Sequence, residues 1–320
     1  MWIIKKLFIT AAALLSVTLF SGAAWAEKKI GVLIWSEEER FAGTWKGLME
    51  ELKKDGFGEA QVKFTIVNAK GNKAKAAELA EKFASAKMDM VIALGTPAAV
   101  VVAKEIRDVP VVFSWVYDPI EAGIAESWKS SGNNTTGTSS KVPMSKLMGS
   151  LKQLSPIKKL AVLYTVGEKN SEIQLKELQE IQEYFQVKIL PVPLTRKEDV
   201  AMIIPEVARS ADAICLSGSN VVAEAAPMIV NIANKAKVLT VTHIEDLVAK
   251  GVLLGVCADP YSMGRLAGKK AVKVLKGAKP SSIPVETDKK PNIILNVKTA
   301  KEGQFRIPPN FTKTVTKTID

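Results

Sequence analysis

Residues 158–185 read KKLAVLYTVGEKNSEIQLKELQEIQEYF, and this stretch decides the fold. Its first part, Leu160 to Tyr164, is a short apolar run that is typical of a fully buried parallel strand. A polar loop follows, and then the apolar residues recur at helical spacing along one face, at Leu175, Leu178, Ile181 and Phe185. The stretch therefore predicts a strand, a loop and an amphipathic helix.

A degenerate copy of this design begins at Lys28, where residues 28–54 read KKIGVLIWSEEERFAGTWKGLMEELKK. The apolar run from Ile30 to Trp35 predicts a buried strand, and a helix with one apolar face follows it. Two such openings about 130 residues apart indicate two similar α/β lobes, each starting afresh. We expect a functional site between the lobes.

Residues 1–26 have the pattern of a secretory signal peptide. Lys5 and Lys6 form a positive start, residues 7–20 an apolar core, and Ala24-Trp25-Ala26 a small-x-small cleavage site before Glu27. A membrane anchor is the competing interpretation, although the apolar run is short for a membrane span. No cysteine follows the apolar core, so a lipoprotein anchor has no attachment residue. We expect a mature protein that is released into the periplasm.

The remaining 294 residues are too many for one ordinary core and fit two lobes. The formal charge falls from +11 to +9 when Lys5 and Lys6 leave with the signal peptide. A net positive charge of this size suggests nucleic acid as a possible partner. The basic residues are nevertheless spread over predicted helix faces and loops with no aromatic-interleaved stripe, so we predict a solvated surface and no nucleic-acid binding.

The two cysteines lie in separate predicted strands, Cys215 in AICLS and Cys257 in GVLLGVCAD. An oxidising compartment would permit a disulfide. In a doubly wound lobe these strands would be the third and the fifth, which are not neighbours, so we favour two buried free thiols. Two cysteines and one histidine also make a zinc site improbable, and we expect neither a metal nor a cofactor.

Strands and helices alternate along both halves of the chain, which predicts the α/β class with two doubly wound parallel-sheet lobes joined by three crossovers. The crossovers are expected at residues 130–143, at Asp259-Pro260 and at residues 279–291. Asp259 can cap the helix that Pro260 begins, and this helix is expected to return to lobe one. The predicted division is 27–138 plus 259–286 for lobe one and 139–258 plus 287–320 for lobe two.

Ligands bind open α/β sheets beyond the carboxyl ends of the strands, so the residues after each strand are the candidates. Trp35, Ser36 and Trp115 follow strands of lobe one, where two indoles could stack on a planar or aliphatic group. Their alternative role is packing under a loop. Thr96-Pro97 has the pattern of a helix cap, and the N–H groups of that helix could bind a carboxylate.

Each of the other polar residues at the strand ends could have either of two roles, ligand contact or a local structural role. Asp118 could face an ammonium group or form an ordinary Asp-Pro turn. Ser171 with Gln174 matches a capping box, and Asn170 and Asn220 could reach the cleft or lie in turns. The single histidine, His243, follows a strand without any Ser, Cys or Asp at a nucleophile spacing. We interpret it as a hydrogen-bonded polar residue whose position also permits ligand contact, and we expect no enzyme activity.

Several segments in this order and spacing resemble the periplasmic solute-binding component of an ABC importer, in the family that includes tryptophan- and tyrosine-binding members. The resemblance extends from Lys28 to Pro308. It rests on NAKGNKAKAAELAEKF (68–83), ALGTPAAV (93–100), PVVFSWVYDPIEAG (110–123), NNTTGTSS (133–140), LYTVGEKNSE (163–172), GVLLGVCADPYSMGRLAGKKAVKVLKGAKPSSIPVE (251–286) and LNVKTAK (295–301).

The resemblance implies a type I periplasmic binding protein fold that closes on a small molecule. It places these residues in the pocket: Thr96, Ala98, Asp118, Ser139, Asn170, Ser171, Asn220 and Asp259. This chain departs from the family at Thr242-His243, where a polar acidic pair is common. It also departs at Trp115-Val116-Tyr117, where a small residue usually precedes the Asp-Pro turn.

The function that this resemblance implies is ligand capture by lobe closure, followed by delivery to an ABC permease in the inner membrane. We expect a monomer that binds an aromatic or branched aliphatic amino acid. The carboxylate would bind near Thr96 and Ser171, the ammonium group near Asp118 or Asp259, and the side chain on Trp35 or Trp115. A sugar or nucleoside ligand, or a sensory role without transport, is the alternative.

Overall fold

The computed structural model describes residues 27–320, so the predicted signal peptide lies outside the described residues. The strands are β1 (Lys28–Ile34), β2 (Val62–Asn68), β3 (Met90–Leu94), β4 (Val111–Val116), β5 (Thr135–Ser139), β6 (Lys159–Tyr164), β7 (Lys188–Pro193), β8 (Ala213–Leu216), β9 (Leu239–Thr242), β10 (Leu254–Cys257), β11 (Glu286–Thr287), β12 (Asn292–Asn296) and β13 (Lys317–Ile319).

The helices alternate with these strands along the chain. They are α1 (Glu39–Lys54), α2 (Lys73–Ser85), α3 (Thr96–Glu105), α4 (Met144–Leu154), α5 (Lys169–Glu180), α6 (Gln182–Phe185), α7 (Val200–Ser210), α8 (Asn220–Lys235), α9 (Glu245–Ala249), α10 (Pro260–Leu275), α11 (Val297–Glu302) and α12 (Pro309–Thr312). Two short 3₁₀ helices lie at residues 197–199 and 280–282.

The strands form two sheets, one in each lobe, as the alternating pattern predicted. The lobe-one sheet has the order β11-β5-β4-β3-β1-β2, and the lobe-two sheet has the order β13-β12-β10-β9-β8-β6-β7. Every neighbouring pair is parallel except β10 and β12. Central strands such as MVIAL in β3 and AICL in β8 are wholly buried, because helices cover both sheet faces.

Helix α10 follows a strand of lobe two but packs against α1 and β4 of lobe one. The side chain of Asp259 caps it by accepting a hydrogen bond from Ser262 N at 2.7 Å, as predicted. The two helices approach closely at glycines: a Cβ at Gly47 would overlap the Tyr261 carbonyl. The α1–α10 contact therefore ties a helix that follows a lobe-two strand firmly to lobe one.

The structure corrects two details of the predicted topology around residues 130–143. The segment 130–143 is not only a crossover, because its centre is β5, which pairs with β4 and β11. Ser139 pairs with Val116 and Thr287 and so belongs to the lobe-one sheet, one residue beyond the predicted boundary. The segment is rich in Ser, Thr and Gly, and buried partners satisfy hydroxyls of the strand: Thr136 Oγ1 donates to Ile283 O at 2.8 Å.

One edge strand of each sheet, β11 in lobe one and β13 in lobe two, could not be predicted from the sequence pattern. The two residues of β11 and the three of β13 are too short to show a period. Strand β12 lies in the segment assigned to lobe two, but it runs antiparallel to β10, so the lobe-two sheet is not purely parallel as predicted.

Both cysteines are buried free thiols, as favoured from the sequence. Cys215 lies in β8 and Cys257 in β10, and β9 separates these two strands. Burial raises the pKa of the Cys215 thiol to about 12. Within residues 27–320 no helix combines the length and the apolarity that a membrane crossing requires.

Candidate functional site

A cavity lies where the carboxyl ends of the two sheets face each other. Six of the residues singled out in the sequence line it, namely Trp35, Thr96, Trp115, Asn170, Asn220 and His243. Arg40, Phe41, Tyr117 and Gln174 also line this cavity, which is named the inner cavity. Its free space is about 20 Å³, enough for about one water molecule. The lobes are therefore closed on each other.

The lobe-one side of the inner cavity is aromatic. Trp35 follows β1, Phe41 lies in the first turn of α1, and Trp115 and Tyr117 come at the end of β4. Trp115 has a φ of 58° and lies at a break in the β4–β5 register between Phe113 and Val116. A left-handed tryptophan at a bulge is strained, and bulges beside binding sites turn a side chain toward a new direction. The backbone at Trp115 thus gives this wall its shape.

The first turn of α3 also faces the inner cavity. Gly95 precedes it with a φ of 101°, which a side chain would strain. The prediction that Thr96 caps this helix is wrong, because the helix begins at Thr96 and its Oγ1 accepts a hydrogen bond from Tyr117 N at 2.9 Å. Ala99 N is the first to bond back, to Gly95 O. The N–H groups before it have no intrahelical acceptor and can bind an anion.

The lobe-two side is polar and uncharged. Gln174 Oε1 accepts from Gly218 N at 2.8 Å, so its Nε2 donates to His243 Nε2, 3.1 Å away, and fixes the tautomer with the proton on Nδ1. Burial, followed by the charge of Arg40, lowers the pKa of His243 to about 3, so the ring is neutral. Asn170 Nδ2 donates to Gly218 O, whereas its buried Oδ1 has no partner among the described residues.

Arg40 is the functional residue that sequence reasoning missed. It follows three glutamates at the start of an amphipathic helix, where an arginine usually lies in solvent, yet it is 5% exposed. Its guanidinium bonds Asp246 of lobe two at 2.8 Å, pairs with Glu38 at 3.2 Å and lies 4.9 Å above the Phe41 ring. Its position at the start of the helix that follows the first strand was the available signal.

Two predicted acidic residues lie away from the inner cavity and have partners. Asp118 pairs with Lys141 at 2.6 Å and accepts the N–H groups of Ile120 and Glu121. Asp259 is occupied in capping α10. Neither carboxylate is placed to meet an ammonium group in the inner cavity.

The other four predicted residues also do not line the inner cavity. Ala98 is buried in α3, and Ser139 Oγ donates to Tyr117 O at 2.5 Å. Ser171 lies inside α5 and donates to Thr165 O and Glu168 O, so the capping-box prediction is wrong. Ser36 lines a separate, outer cavity, and its buried Oγ has no partner among the described residues.

The geometry above can be compared with known proteins. A family model described as ABC transporter substrate binding protein matches residues 29–319. The chain belongs to this family. It is therefore an ABC transporter substrate-binding protein, and its two α/β lobes are those of a type I periplasmic binding protein.

This substrate-binding protein is 28% identical over 277 residues to the tyrosine-binding protein of Clostridioides difficile (strain R20291), covering 86% of this chain and 80% of that one. It is also similar to an ABC domain in complex with L-Trp from Streptococcus pneumonia, at 28% identity and a TM-score of 0.87, with 92% of this chain and 100% of that chain covered.

A third relative informs on the lobe arrangement. The ligand-free, open structure of a substrate binding protein with adhesive properties from Clostridium difficile is also 28% identical, over 91% of this chain and 98% of that chain. Its TM-score is 0.72, lower than the 0.87 of the L-Trp complex at equal identity. The relative positions of the two lobes in this substrate-binding protein thus match those of the ligand-bound relative better than those of the open one. The small volume of the inner cavity agrees with this.

Proposed function

We propose that this substrate-binding protein captures an aromatic α-amino acid, L-tryptophan or L-tyrosine, and hands it to an ABC importer. The observation that carries the proposal is the aromatic wall of Trp35, Phe41 and Trp115 facing a polar, uncharged wall across a cleft. The names of the tyrosine-binding and L-Trp-bound relatives support the same ligand class. A neutral ring with one polar group suits such a pair of surfaces.

The binding mode follows from the two kinds of wall. The ligand ring lies against Trp35 and Trp115, where stacking favours it by about 1 kcal/mol beyond the area buried. The carboxylate accepts a hydrogen bond from the Thr96 N–H in the first turn of α3, where the helix dipole favours an anion. Asn170 Oδ1, which lacks a partner, accepts the indole N–H or phenol O–H.

Loading requires the lobes to separate. The inner cavity has room for about one water molecule, so an amino acid enters only an open form and then shifts the population to a closed one. Lobe closure about the crossovers is a hinge motion. A permease that recognises the closed form would then accept the ligand only from a loaded receptor.

The remaining parts of the proposal concern the setting. The signal-peptide pattern of residues 1–26 supports a mature protein released into the periplasm. Membership of the substrate-binding family supports an ABC permease as the partner and binding without chemical conversion. We propose that the receptor acts as a monomer, with its hinge at the places where the chain passes between the two sheets.

Calorimetric titration of the mature chain, unfolded and refolded to remove carried-over ligand, tests the proposal. The ligands are the twenty amino acids, with ribose, myo-inositol and adenosine as representatives of the rival classes. We expect heat and a rise in Tm with L-tryptophan and L-tyrosine. Binding of a sugar or nucleoside without amino-acid binding would refute the proposal.

A further inference from the structure

A second cavity opens at the mouth of the cleft and carries excess negative charge. This outer cavity has a volume of about 690 Å³ and shares Asn220 with the inner cavity. Two lysines, Lys70 and Lys250, line it. Five carboxylates outnumber them in the same lining, namely Glu37, Glu38, Glu39, Glu224 and Asp246. The proposed function leaves this cavity without a role.

Three buried acceptor atoms in the lining of the outer cavity have no hydrogen-bond donor among the described residues. They are Ser36 Oγ, Glu38 Oε2 and Asp246 Oδ1. Ser36 is 6% exposed and Asp246 is 5% exposed. A buried acceptor without a donor is destabilising, and more so when it is charged. Three such atoms together indicate a donor group that comes from outside the chain.

The charges around these atoms are also out of balance. The Glu38 and Asp246 carboxylates both pair with the single guanidinium of Arg40, at 3.2 and 2.8 Å, and each uses only one oxygen to do so. Glu168 adds a third acidic group nearby. Burial is the main reason that its pKa is raised to about 7. The charges of Glu38 and Glu224 raise this pKa further, whereas the Arg40 charge and the hydrogen bond from the Asn220 N–H lower it. With Glu168 protonated, one more cation would balance the Glu38 and Asp246 carboxylates against the single charge of Arg40.

We propose that Ser36, Glu38 and Asp246 form a subsite for a primary ammonium group. An ammonium has three N–H donors, which matches one hydroxyl and two carboxylate oxygens. A metal ion fits less well, since residues 27–320 contain no group of three or more His, Cys, Asp or Glu side chains that could hold one. Ser36 and Glu38 belong to lobe one and Asp246 to lobe two, so a bound ammonium joins the lobes.

The inference rests on the proposed function and completes it, because Asp118 and Asp259 are already occupied. Arg40 lines the inner cavity and contacts both carboxylates of the subsite, so the two places are contiguous. The ammonium of an amino acid in the inner cavity is one source of the cation. A separate alkylamine at the cleft mouth is the other.

The test compares two ligands on matched variants of the mature chain. L-Tryptophan and indole-3-propionate share the ring and the carboxylate, but only the first has an ammonium group. We expect Ser36→Ala to weaken L-tryptophan binding about 5-fold and Asp246→Asn to weaken it at least 10-fold. Indole-3-propionate binding should change less than 2-fold in Ser36→Ala, and Glu81→Gln, at an exposed residue of α2 outside both cavities, should leave both ligands unchanged.

The ratio of the two losses separates the subsite from the interlobe ion pair. Asp246→Asn also breaks the contact with Arg40, but that contact serves closure on either ligand equally. A loss of equal size for L-tryptophan and indole-3-propionate in Ser36→Ala and Asp246→Asn would therefore overturn the proposal.

A third arm uses n-butylamine. One outcome is that n-butylamine binds the wild-type chain but not Asp246→Asn, while the affinity for L-tryptophan is the same in both. This outcome would support the subsite, with a separate amine as its ligand. If neither L-tryptophan nor L-tyrosine binds the wild type, the proposed function fails, and the n-butylamine arm alone then decides the subsite: binding supports it, and no binding refutes it.

Discussion

The guanidinium of Arg40 and the carboxylate of Asp246 lie 2.8 Å apart, although they are 206 residues apart in the chain and belong to different lobes. Both side chains are 5% exposed, so water does not screen their interaction as it does for a surface pair. The pair is made only when the lobes are closed. Its removal should therefore act on the balance between the open and closed forms.

The first prediction is that Arg40→Met opens the ligand-free protein. The change leaves two buried carboxylates, Glu38 and Asp246, without their cation, and breaking a buried pair costs about 3–5 kcal/mol. Opening restores their hydration. Small-angle X-ray scattering should show a larger radius of gyration than for the wild type. Arg209→Met, at an exposed Arg209–Glu206 pair, is the control and should change nothing. An unaltered scattering curve for Arg40→Met would contradict the prediction.

The second prediction concerns the indoles of the aromatic wall. Trp115→Phe removes stacking area, and about 1 kcal/mol of lost stacking corresponds to about 5-fold weaker binding of L-tyrosine. The fluorescence change on binding should also shrink by more than half. Trp128→Phe is the matched control, because Trp128 is 37% exposed and does not line the cavity. Equal effects of the two substitutions would show that Trp115 does not contact the ligand.

The third prediction is a preference for rings that carry a hydrogen-bond donor. Asn170 Oδ1 is a buried acceptor without a partner, so L-phenylalanine, which has no ring donor, leaves it unsatisfied. L-Phenylalanine should bind at least about 10-fold more weakly than L-tyrosine in a calorimetric titration. Asn170→Leu should abolish most of this ratio. A ratio that survives the substitution would assign the preference to another residue.

The fourth prediction is a pH dependence of stability that arises at Glu168. Its folded pKa of about 7 lies above the ordinary 4.5, so the folded state holds the proton more tightly than the unfolded state between these values. The free energy of unfolding should therefore fall as the pH rises from about 4.5 to 7, by at most about 3 kcal/mol. The groups facing Glu168 are Glu38, Arg40, Glu224 and the Asn220 N–H.

Glu168→Gln removes this titration. Urea unfolding at pH 5 and pH 8 should show a smaller difference between the two conditions for the variant than for the wild type. An identical difference in both proteins would place the pH dependence elsewhere.

The fifth prediction is that both thiols are inert in the folded protein. Cys215 and Cys257 are buried, and burial raises the pKa of each thiol, so almost no thiolate forms at pH 8. A colorimetric disulfide reagent should react with neither thiol until the chain is unfolded in guanidinium, when it should count two. Fast reaction of either thiol in the folded protein would disagree with the burial.

The sequence predicted the parts of the fold that repeat a pattern. Short apolar runs such as MVIAL and AICL, set between helical patterns, are typical of buried parallel strands, and the rule that ligands lie beyond strand ends led to Trp35, Trp115 and His243. The cap at Asp259 was also readable, because capping depends on residues three apart.

The sequence could not predict contacts made by residues distant in the chain. Nothing near Asp118 shows that Lys141 will pair with it, and nothing near Arg40 shows that Asp246 will. The turn of Trp115 into the left-handed region depends on how β4 meets β5 across the bulge. Such features depend on how distant elements pack together, so no local periodicity or composition of the sequence indicates them.

Neither lobe is made from one continuous length of chain, and this has a consequence for biogenesis. The lobe-one sheet needs β11 and the α1 helix needs α10, so lobe one is incomplete until residue 287 has been synthesised. Contacts between segments so far apart in the chain make folding slow. Any folding of lobe one during synthesis must therefore wait for a segment that leaves the ribosome late, or rearrange when that segment arrives.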